Sequence, residues 1–192
     1  MDKLKLYTLS QPYYQYISQF DAKVPHTSVG KESRPFIGIV LHFNDVSYFA
    51  PLTSPKQKHL TMKNAIDFHR IQEGQLGAIN FNNMIPIPSD EAKEIDLNIS
   101  IGMSTDELNY KNLLKNQKNW CDGNVDVLMN KAKHLRETIE TTENEKLLRR
   151  CCDFKLLEEK CLEYSVKQKE LPKRINPEPE QKPHKKKKVP TL

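Results

Sequence analysis

The first part of the chain alternates apolar and polar residues over short segments, as half-buried strands do. Residues 3–9 (KLKLYTL) follow this pattern and predict a strand. Two apolar runs rich in β-branched and aromatic residues, 36–43 and 46–52, flank the turn-forming pair Asn44 and Asp45. The sequence therefore predicts a β-hairpin over residues 36–52.

The other apolar segments divide the chain into a strand-rich part and a helical part. Residues 11–20 space aromatic side chains along one face of a helix. Residues 75–87 are apolar, interrupted by asparagines, and predict one long or two short strands. After Asp90 the apolar spacing becomes helical. Strands followed by helices, without alternation, indicate an α+β fold with an antiparallel sheet.

Three helices are expected after residue 90. Ser104 and Glu107 form a capping-box pattern at the start of the first helix, and Gly123 ends it. Residues 125–139 predict the second helix. Asp153 is placed to cap the third, which is amphipathic and should close the core.

Charge separates a neutral body from a basic tail. Residues 167–192 hold nine Lys and Arg against three Glu, a net charge of +6, whereas the whole chain carries +5 and residues 1–166 therefore carry −1. The tail has too little apolar content to offset the entropy of ordering. We therefore expect one domain over residues 1–166 and a disordered Lys/Pro-rich tail over 167–192. The lysine run 185–188 is interpreted as solvated charge.

The lack of recognisable targeting signals and the spacing of the cysteines predict a cytoplasmic protein. No stretch reaches the roughly 18 apolar residues of a membrane-spanning helix, and the N-terminus lacks the apolar core of a secretory signal. The four cysteines contain no Cys-x-x-Cys pair, which favours reduced structural thiols. His134 stands apart from them at no metal-ligand spacing. Neither a metal nor a cofactor is expected.

A hydroxyl-rich turn follows the predicted hairpin. Thr53, Ser54, Pro55 and Lys56 place two hydroxyls and an ammonium in a turn stiffened by proline, and Arg34 lies just before the hairpin. These groups suit a phosphate. In RNA the ribose 2′-hydroxyl can attack its own phosphodiester if the protein aligns it and stabilises the developing charge, which needs no metal. The products would be a 2′,3′-cyclic phosphate and a 5′-hydroxyl.

Six segments occur in a fixed order along the chain. They are YYQYISQFD (13–21), KVP (23–25), RPFIGIV (34–40), YFAPLTSPK (48–56), DFH (67–69) and QLGAINFNNMIP (75–86). This ordered set resembles the ToxN/AbiQ family of type III toxin–antitoxin endoribonucleases, over about residues 4–160.

The resemblance implies a fold and a set of partners. The fold would be a strongly twisted, barrel-like antiparallel sheet with helices packed around it. The activity would be metal-independent cleavage of adenine-rich RNA, held inactive by a repeated RNA pseudoknot antitoxin, with a role in phage defence by abortive infection or in stress. The resemblance also implies a closed, RNA-bridged ring of alternating toxin and RNA.

The resemblance carries catalytic roles onto four residues. The family's active-site serine falls on Ser54, its threonine on Thr53 and its lysine on Lys56. A catalytic lysine ahead of the Phe-Ile-Gly strand is replaced here by Arg34. Arginine keeps the charge and can bind phosphate through two donors, but it is a poor proton donor or acceptor at neutral pH. Electrostatic stabilisation is therefore the expected role of Arg34.

Further residues are candidates for binding RNA. They are Tyr13, Lys58, His59, Lys63, His69 and Arg70. All but Tyr13 lie in the most cationic part of the body, and Tyr13, Lys56 and His59 are the candidates for acid–base work. Asn80, Asn82 and Asn83 either contact adenine edges or turn a strand, and the sequence leaves both open.

Two other functions compete with the nuclease. A non-catalytic RNA-binding module would use the same cationic loop and sheet. A serine hydrolase based on Ser54 is disfavoured, because the chain has no Gly-x-Ser-x-Gly elbow and its histidines have no evident acidic partner.

Overall fold

The computed structural model describes residues 4–25 and 34–170, apart from the side chain of Ile39. Its seven strands are β1 (Lys5–Leu9), β2 (Phe36–Phe43), β3 (Val46–Thr53), β4 (His69–Arg70), β5 (Ala78–Ile79), β6 (Ile85–Pro86) and β7 (Ala92–Glu94). Its helices are α1 (Gln11–Ile17), α2 (Gln57–Thr61), α3 (Thr105–Asp122), α4 (Val125–Thr141), α5 (Glu145–Arg150) and α6 (Phe154–Glu170).

The strands form one antiparallel sheet. The order is β4-β5-β3-β2-β1-β7, and β6 pairs with β3 beside β5. The central hairpin of β2 and β3 runs from Phe36 opposite Pro51 to Phe43 opposite Val46, and Asn44 in its turn has a left-handed φ of 50°. The predicted hairpin and the antiparallel α+β architecture are both confirmed.

Two helix starts follow from local sequence. At α1, Ser10 Oγ accepts a hydrogen bond from the backbone N of Tyr13 at 3.2 Å, and a proline occupies the first turn. At α3, Ser104 and Glu107 form the expected reciprocal capping box. These side chains satisfy backbone N–H groups that have no partner within the helix.

The core lies between the sheet and helices α1, α4 and α6. A buried polar group joins these layers: Arg136 Nε donates to Glu158 Oε1 at 2.6 Å, and the hydroxyl of Tyr48 donates to the same oxygen at 2.6 Å. The guanidinium also lies 4.2 Å above the ring of Phe43. Because the buried charge is paired, it fastens α4 and α6 to the hairpin.

Three parts of the chain after Asp90 differ from the sequence prediction. The strand β7 lies after Asp90, where only helices were expected, and it pairs with β1 through Leu9 opposite Ala92. The helix α5 was not predicted. The helix α6 continues to Glu170, so residues 167–170 are helical, where the sequence predicted a disordered tail. Residues 171–192, with the lysine run, lie outside the described residues.

Burial explains the state of the cysteines. Cys121, Cys151, Cys152 and Cys161 are all free and buried. Burial raises the pKa of the Cys151 and Cys152 thiols to about 12, so both are protonated and unreactive at neutral pH. Across residues 4–25 and 34–170, no helix combines the length and the apolar character that crossing a bilayer requires.

Candidate active site

A cleft of about 550 Å³ opens where the end of β3 meets α2, the turn between β5 and β6, and the end of α5. Its lining residues are Arg34, Thr53, Lys56, Lys58, His59, Met62, Lys63, Ala65, Asp67, Phe68, Asn80, Asn82, Asn83 and Arg150. Five of these side chains are Lys or Arg and one is Asp, a formal charge of +4 with His59 neutral. The neutral body of the chain therefore concentrates positive charge at this cleft.

The hairpin register brings Arg34 beside the hydroxyl-rich turn. Phe36 lies opposite Pro51, and the backbone N of Leu52 donates to the carbonyl of Pro35 at 2.8 Å. The next residue on each strand is Arg34 on one side and Thr53 on the other, and both line the cleft. Sequence positions 34 and 53 thus meet because the two strands are antiparallel.

The turn itself presents two different hydroxyls. Thr53 Oγ1 donates to the carbonyl of Ala78 at 3.3 Å, so its oxygen lone pairs remain available while its proton is used. Ser54 is exposed, and its hydroxyl has no partner among the described residues. Ser54 is not among the lining residues, but it lies between Thr53 and Lys56, which are.

A buried glutamine holds this turn from α3. Gln117 Nε2 donates to the carbonyls of Thr53 at 3.1 Å and Leu76 at 2.7 Å. This residue was not predicted from the sequence. The sequence feature that could have revealed it is its position: Gln117 is a polar residue at helical spacing between Leu114 and Cys121, on the buried face of α3.

A glycine allows the neighbouring backbone to approach the turn. Gly77 has a φ of +94°, a region that side chains rarely adopt. A Cβ at Gly77 would lie 2.0 Å from the carbonyl oxygen of Thr53. The position of the hydroxyls therefore depends on glycine at 77.

The helix α2 contributes a neutral imidazole. His59 is 2% exposed, its ring borders the cleft, and its Nδ1 has no hydrogen-bond partner among the described residues. Burial lowers the pKa of His59, and the charges of Lys58 and Lys56 lower it further. The ring is therefore neutral at pH 7 and has an unused nitrogen.

Tyr13 lies elsewhere, and its predicted contact with RNA is wrong. The side chain is fully buried, its hydroxyl donates to the carbonyl of Pro86 at 2.8 Å, and its ring packs edge-on against Tyr164 with centroids 4.9 Å apart. Burial raises the pKa of the hydroxyl well above its ordinary value. Tyr13 is a core residue because its helical aromatic stripe faces the sheet and α6.

Two predicted RNA-binding residues also lie outside the cleft lining. Arg70 Nη1 donates to the backbone carbonyls of Leu60 at 3.2 Å and Glu73 at 3.4 Å, which braces the loop after α2. His69 Nδ1 lies 3.4 Å from the amine of Lys131, and its ring packs against Trp120. These contacts give both residues a structural role.

The structure separates the three asparagines. The side-chain amide of Asn82 donates to the carbonyl of Arg150 at 3.1 Å, and that of Asn83 donates to the carbonyl of Lys23 at 2.8 Å. Both amides therefore hold the backbone. The Asn80 side chain borders the cleft without a hydrogen bond to any described residue.

The cleft also contains an ion pair that was not expected from the sequence. Arg150 Nε donates to Asp67 Oδ2 at 2.8 Å, and Asp67 is buried. Within the described ranges, no three His, Cys, Asp or Glu side chains are grouped as metal ligands. The donors in the cleft are cations, hydroxyls and amides, which suit an anion.

Comparisons with known proteins identify the family of the chain. The family model described as Toxin ToxN, type III toxin–antitoxin system, matches residues 5–162. The chain is 33% identical over 168 residues to Endoribonuclease ToxN of Bacillus thuringiensis subsp. kurstaki, covering 85% of each protein. It is 34% identical over 165 residues to Endoribonuclease ToxN of Pectobacterium atrosepticum, covering 82% of this chain and 91% of that protein.

Solved structures share the fold. One belongs to a type III toxin–antitoxin system with selective toxin inhibition by a non-coding RNA pseudoknot; it has a TM-score of 0.72 and 32% identity, over 85% of this chain and 99% of that one. Another is AbiQ, a lactococcal anti-phage endoribonuclease of the type III class, with a TM-score of 0.74 and 26% identity over 86% and 99% of the two chains. The chain therefore belongs to the ToxN toxin family of type III toxin–antitoxin systems.

Proposed function

We propose that this protein is a metal-independent endoribonuclease toxin that cleaves adenine-rich RNA. The observation that carries the proposal is the meeting of Arg34 with Thr53 and Lys56, which flank Ser54 in the sequence, at one cationic cleft. Relatives at 33% and 34% identity over most of the chain are named endoribonucleases, which supports the same activity here.

The proposed reaction is an internal transesterification. The 2′-oxygen of the ribose forms a bond to the adjacent phosphorus while the bond from phosphorus to the 5′-oxygen breaks, and one proton passes overall from the 2′-hydroxyl to the departing 5′-oxygen. The charge that grows on the non-bridging oxygens faces the guanidinium of Arg34 and the hydroxyl of Ser54. Thr53 positions the strand through its free lone pairs.

Two groups remain for proton transfer once Tyr13 is assigned to the core. The imidazole of His59 is neutral and borders the cleft, so it is the candidate acceptor for the proton of the 2′-hydroxyl. The exposed ammonium of Lys56 can donate a proton to the 5′-oxygen. The products are a 2′,3′-cyclic phosphate and a 5′-hydroxyl.

The proposal extends to regulation and location. A repeated RNA pseudoknot would inhibit the toxin by occupying the cationic cleft and would bridge protomers into a closed ring. Support comes from a related solved structure whose toxin is inhibited by a non-coding RNA pseudoknot. The toxin would act in the cytoplasm, where buried thiols stay reduced, in phage defence or stress. Sizing the complex before and after nuclease treatment tests the ring, and an unchanged mass rejects it.

Incubation with adenine-rich RNA in the presence of a chelator tests the activity. We expect cleavage with cyclic-phosphate ends, and we expect Ser54→Ala to lose at least about 100-fold in rate. Ser47→Ala is the matched control, since Ser47 lies near the start of β3, hydrogen-bonds His42 and is far along the strand from the turn that follows Thr53. Binding without cleavage by the folded protein would favour the non-catalytic RNA-binding module instead.

A further inference from the structure

Arg150 brings a cation to the cleft from a distant part of the chain. Four of the five cationic lining residues come from positions 34–63, and the fifth is Arg150 at the end of α5. Its side chain is 54% exposed, so the guanidinium reaches solvent inside the cleft. This exposure distinguishes it from Arg136, which is buried and paired on three sides.

The backbone at Arg150 and directly after it is fixed to the turn between β5 and β6. The amide of Asn82 donates to the carbonyl of Arg150 at 3.1 Å, and the backbone N of Cys152 donates to the carbonyl of Asn82 at 2.8 Å. Asn82 in turn donates its backbone N to the carbonyl of Asp67 at 3.0 Å. The arginine and its carboxylate partner are therefore anchored to the same short segment.

The guanidinium is oriented but only partly used. Its Nε donates to Asp67 Oδ2 at 2.8 Å, while Nη1 and Nη2 have no partner among the described residues. The Asp67 side chain is 7% exposed, so a buried carboxylate orients the guanidinium of Arg150, whose own side chain is accessible. Two parallel N–H donors match two oxygens of one phosphate.

We propose that Arg150 binds a non-reacting phosphate of the RNA strand that occupies the cleft. The inference rests on the proposed function for the identity of its ligand. The inference places this phosphate beside the one that is cleaved, because Arg150 is held by Asp67 and Asn82, whereas Arg34 is held beside Thr53 by the hairpin register. Its contribution is therefore equal in the ground state and the transition state.

Binding measured against salt tests this contact. In a Ser54→Ala background, which leaves the RNA intact, we expect Arg150→Ala to weaken binding to adenine-rich RNA about tenfold or more. We also expect it to reduce the slope of log K against log salt by about 0.7, as loss of one phosphate contact on a single strand does. Arg149→Ala is the matched control, because Arg149 is exposed, pairs with Glu145 and does not line the cleft.

Two further variants guard against a folding artefact. Arg150→Ala leaves Asp67 without its hydrogen-bonded partner, so the double variant Asp67→Asn with Arg150→Ala removes the stranded charge and should show the same loss of slope. Arg150→Lys keeps the positive charge but lacks the two parallel N–H donors of the guanidinium. It should retain the slope of log K against log salt but bind the RNA more weakly. Equal slopes in Arg150→Ala and Arg149→Ala would overturn the inference.

Cleavage kinetics separate this inference from the proposed function. With Ser54 present, Arg150→Ala should raise KM about tenfold and leave kcat within about twofold, as uniform binding requires. A fall in kcat at unchanged KM would contradict the inference while leaving the nuclease intact. Absence of cleavage by the unmodified protein, with Arg150-dependent binding retained, would reject the nuclease and keep the phosphate contact.

Discussion

The side-chain amide of Gln117 donates to the carbonyl oxygen of Thr53 at 3.1 Å, across 64 positions of sequence. The same amide nitrogen donates to the carbonyl of Leu76 at 2.7 Å. One buried residue of α3 therefore fixes both the hydroxyl-rich turn and the backbone that packs against it. The geometry of the candidate active site depends on a helix that contributes nothing to its lining.

Replacing Gln117 with leucine should loosen the turn. The substitution keeps the approximate volume but leaves two carbonyls without their donor, which costs about 1–3 kcal/mol of unfolding free energy for buried groups. We expect a lower midpoint in urea and slower RNA cleavage. Asn116→Leu, on the exposed neighbouring position of the same helix, is the control and should change neither.

Gly77→Ala should displace the same turn from the other side. The new Cβ would meet the carbonyl oxygen of Thr53 at 2.0 Å in a backbone with φ +94°. Gly102 has almost the same φ, +93°, but a Cβ there would meet nothing within 4 Å, so Gly102→Ala carries only the conformational cost of roughly 1 kcal/mol. The thermal unfolding midpoint and the cleavage rate should both fall further in Gly77→Ala than in Gly102→Ala. Equal effects in the two variants would contradict the close packing at Gly77.

The acid sensitivity of the fold should depend on His69. Burial lowers the pKa of this imidazole to about 4, with further contributions from Lys131 and Arg70. Between pH 6.5 and 4 the unfolded chain takes up a proton here that the folded chain does not, so stability is full above pH 6.5 and is lost as pH falls toward 4.

Unfolding midpoints at pH 7 and pH 5 measure this effect. We expect the drop in midpoint to be smaller in His69→Gln than in the unmodified protein. His134→Gln, at an exposed position on α4, controls for the loss of an imidazole. An equal drop in His69→Gln and the unmodified protein would show that His69 is not the group responsible.

The short-range features of this fold were predictable because they are encoded locally. The hairpin follows from two apolar runs around Asn44 and Asp45, and the start of α3 follows from Ser104 and Glu107. The proximity of Arg34 and Thr53 is a consequence of the hairpin register, so it too was implied by the sequence once the turn was recognised.

The features that were predicted wrongly, or not predicted, depend on contacts between distant parts of the chain. Tyr13 was predicted to bind RNA because a tyrosine can expose its hydroxyl, but packing of α1 against α6 buries the whole side chain. The strand β7 forms because β1 offers an unpaired edge, which three residues of sequence do not reveal. Arg150 reaches the cleft only because α5 is anchored to the turn that contains Asn82. Tertiary contacts, and not local pattern, decide each of these.

The charge of Arg34 should matter more than its exact shape. Arg34→Lys keeps a cation beside Thr53 and should retain cleavage within about tenfold, whereas Arg34→Ala should lose about 100-fold in kcat. Single-turnover rates at saturating RNA measure the difference. Lys23→Ala, which removes a cation outside this cleft, serves as the control for a general loss of positive charge.

A double-mutant cycle of Arg34→Ala and Ser54→Ala tests most directly whether the two side chains act on one scissile phosphodiester. Single-turnover cleavage rates of the unmodified protein, each single variant and the double variant provide the coupling free energy. We expect the double variant to cleave nearly as fast as the slower single variant, because groups that stabilise the same phosphorane fail together. Losses that multiply, with no coupling between positions 34 and 54, would contradict a shared phosphate.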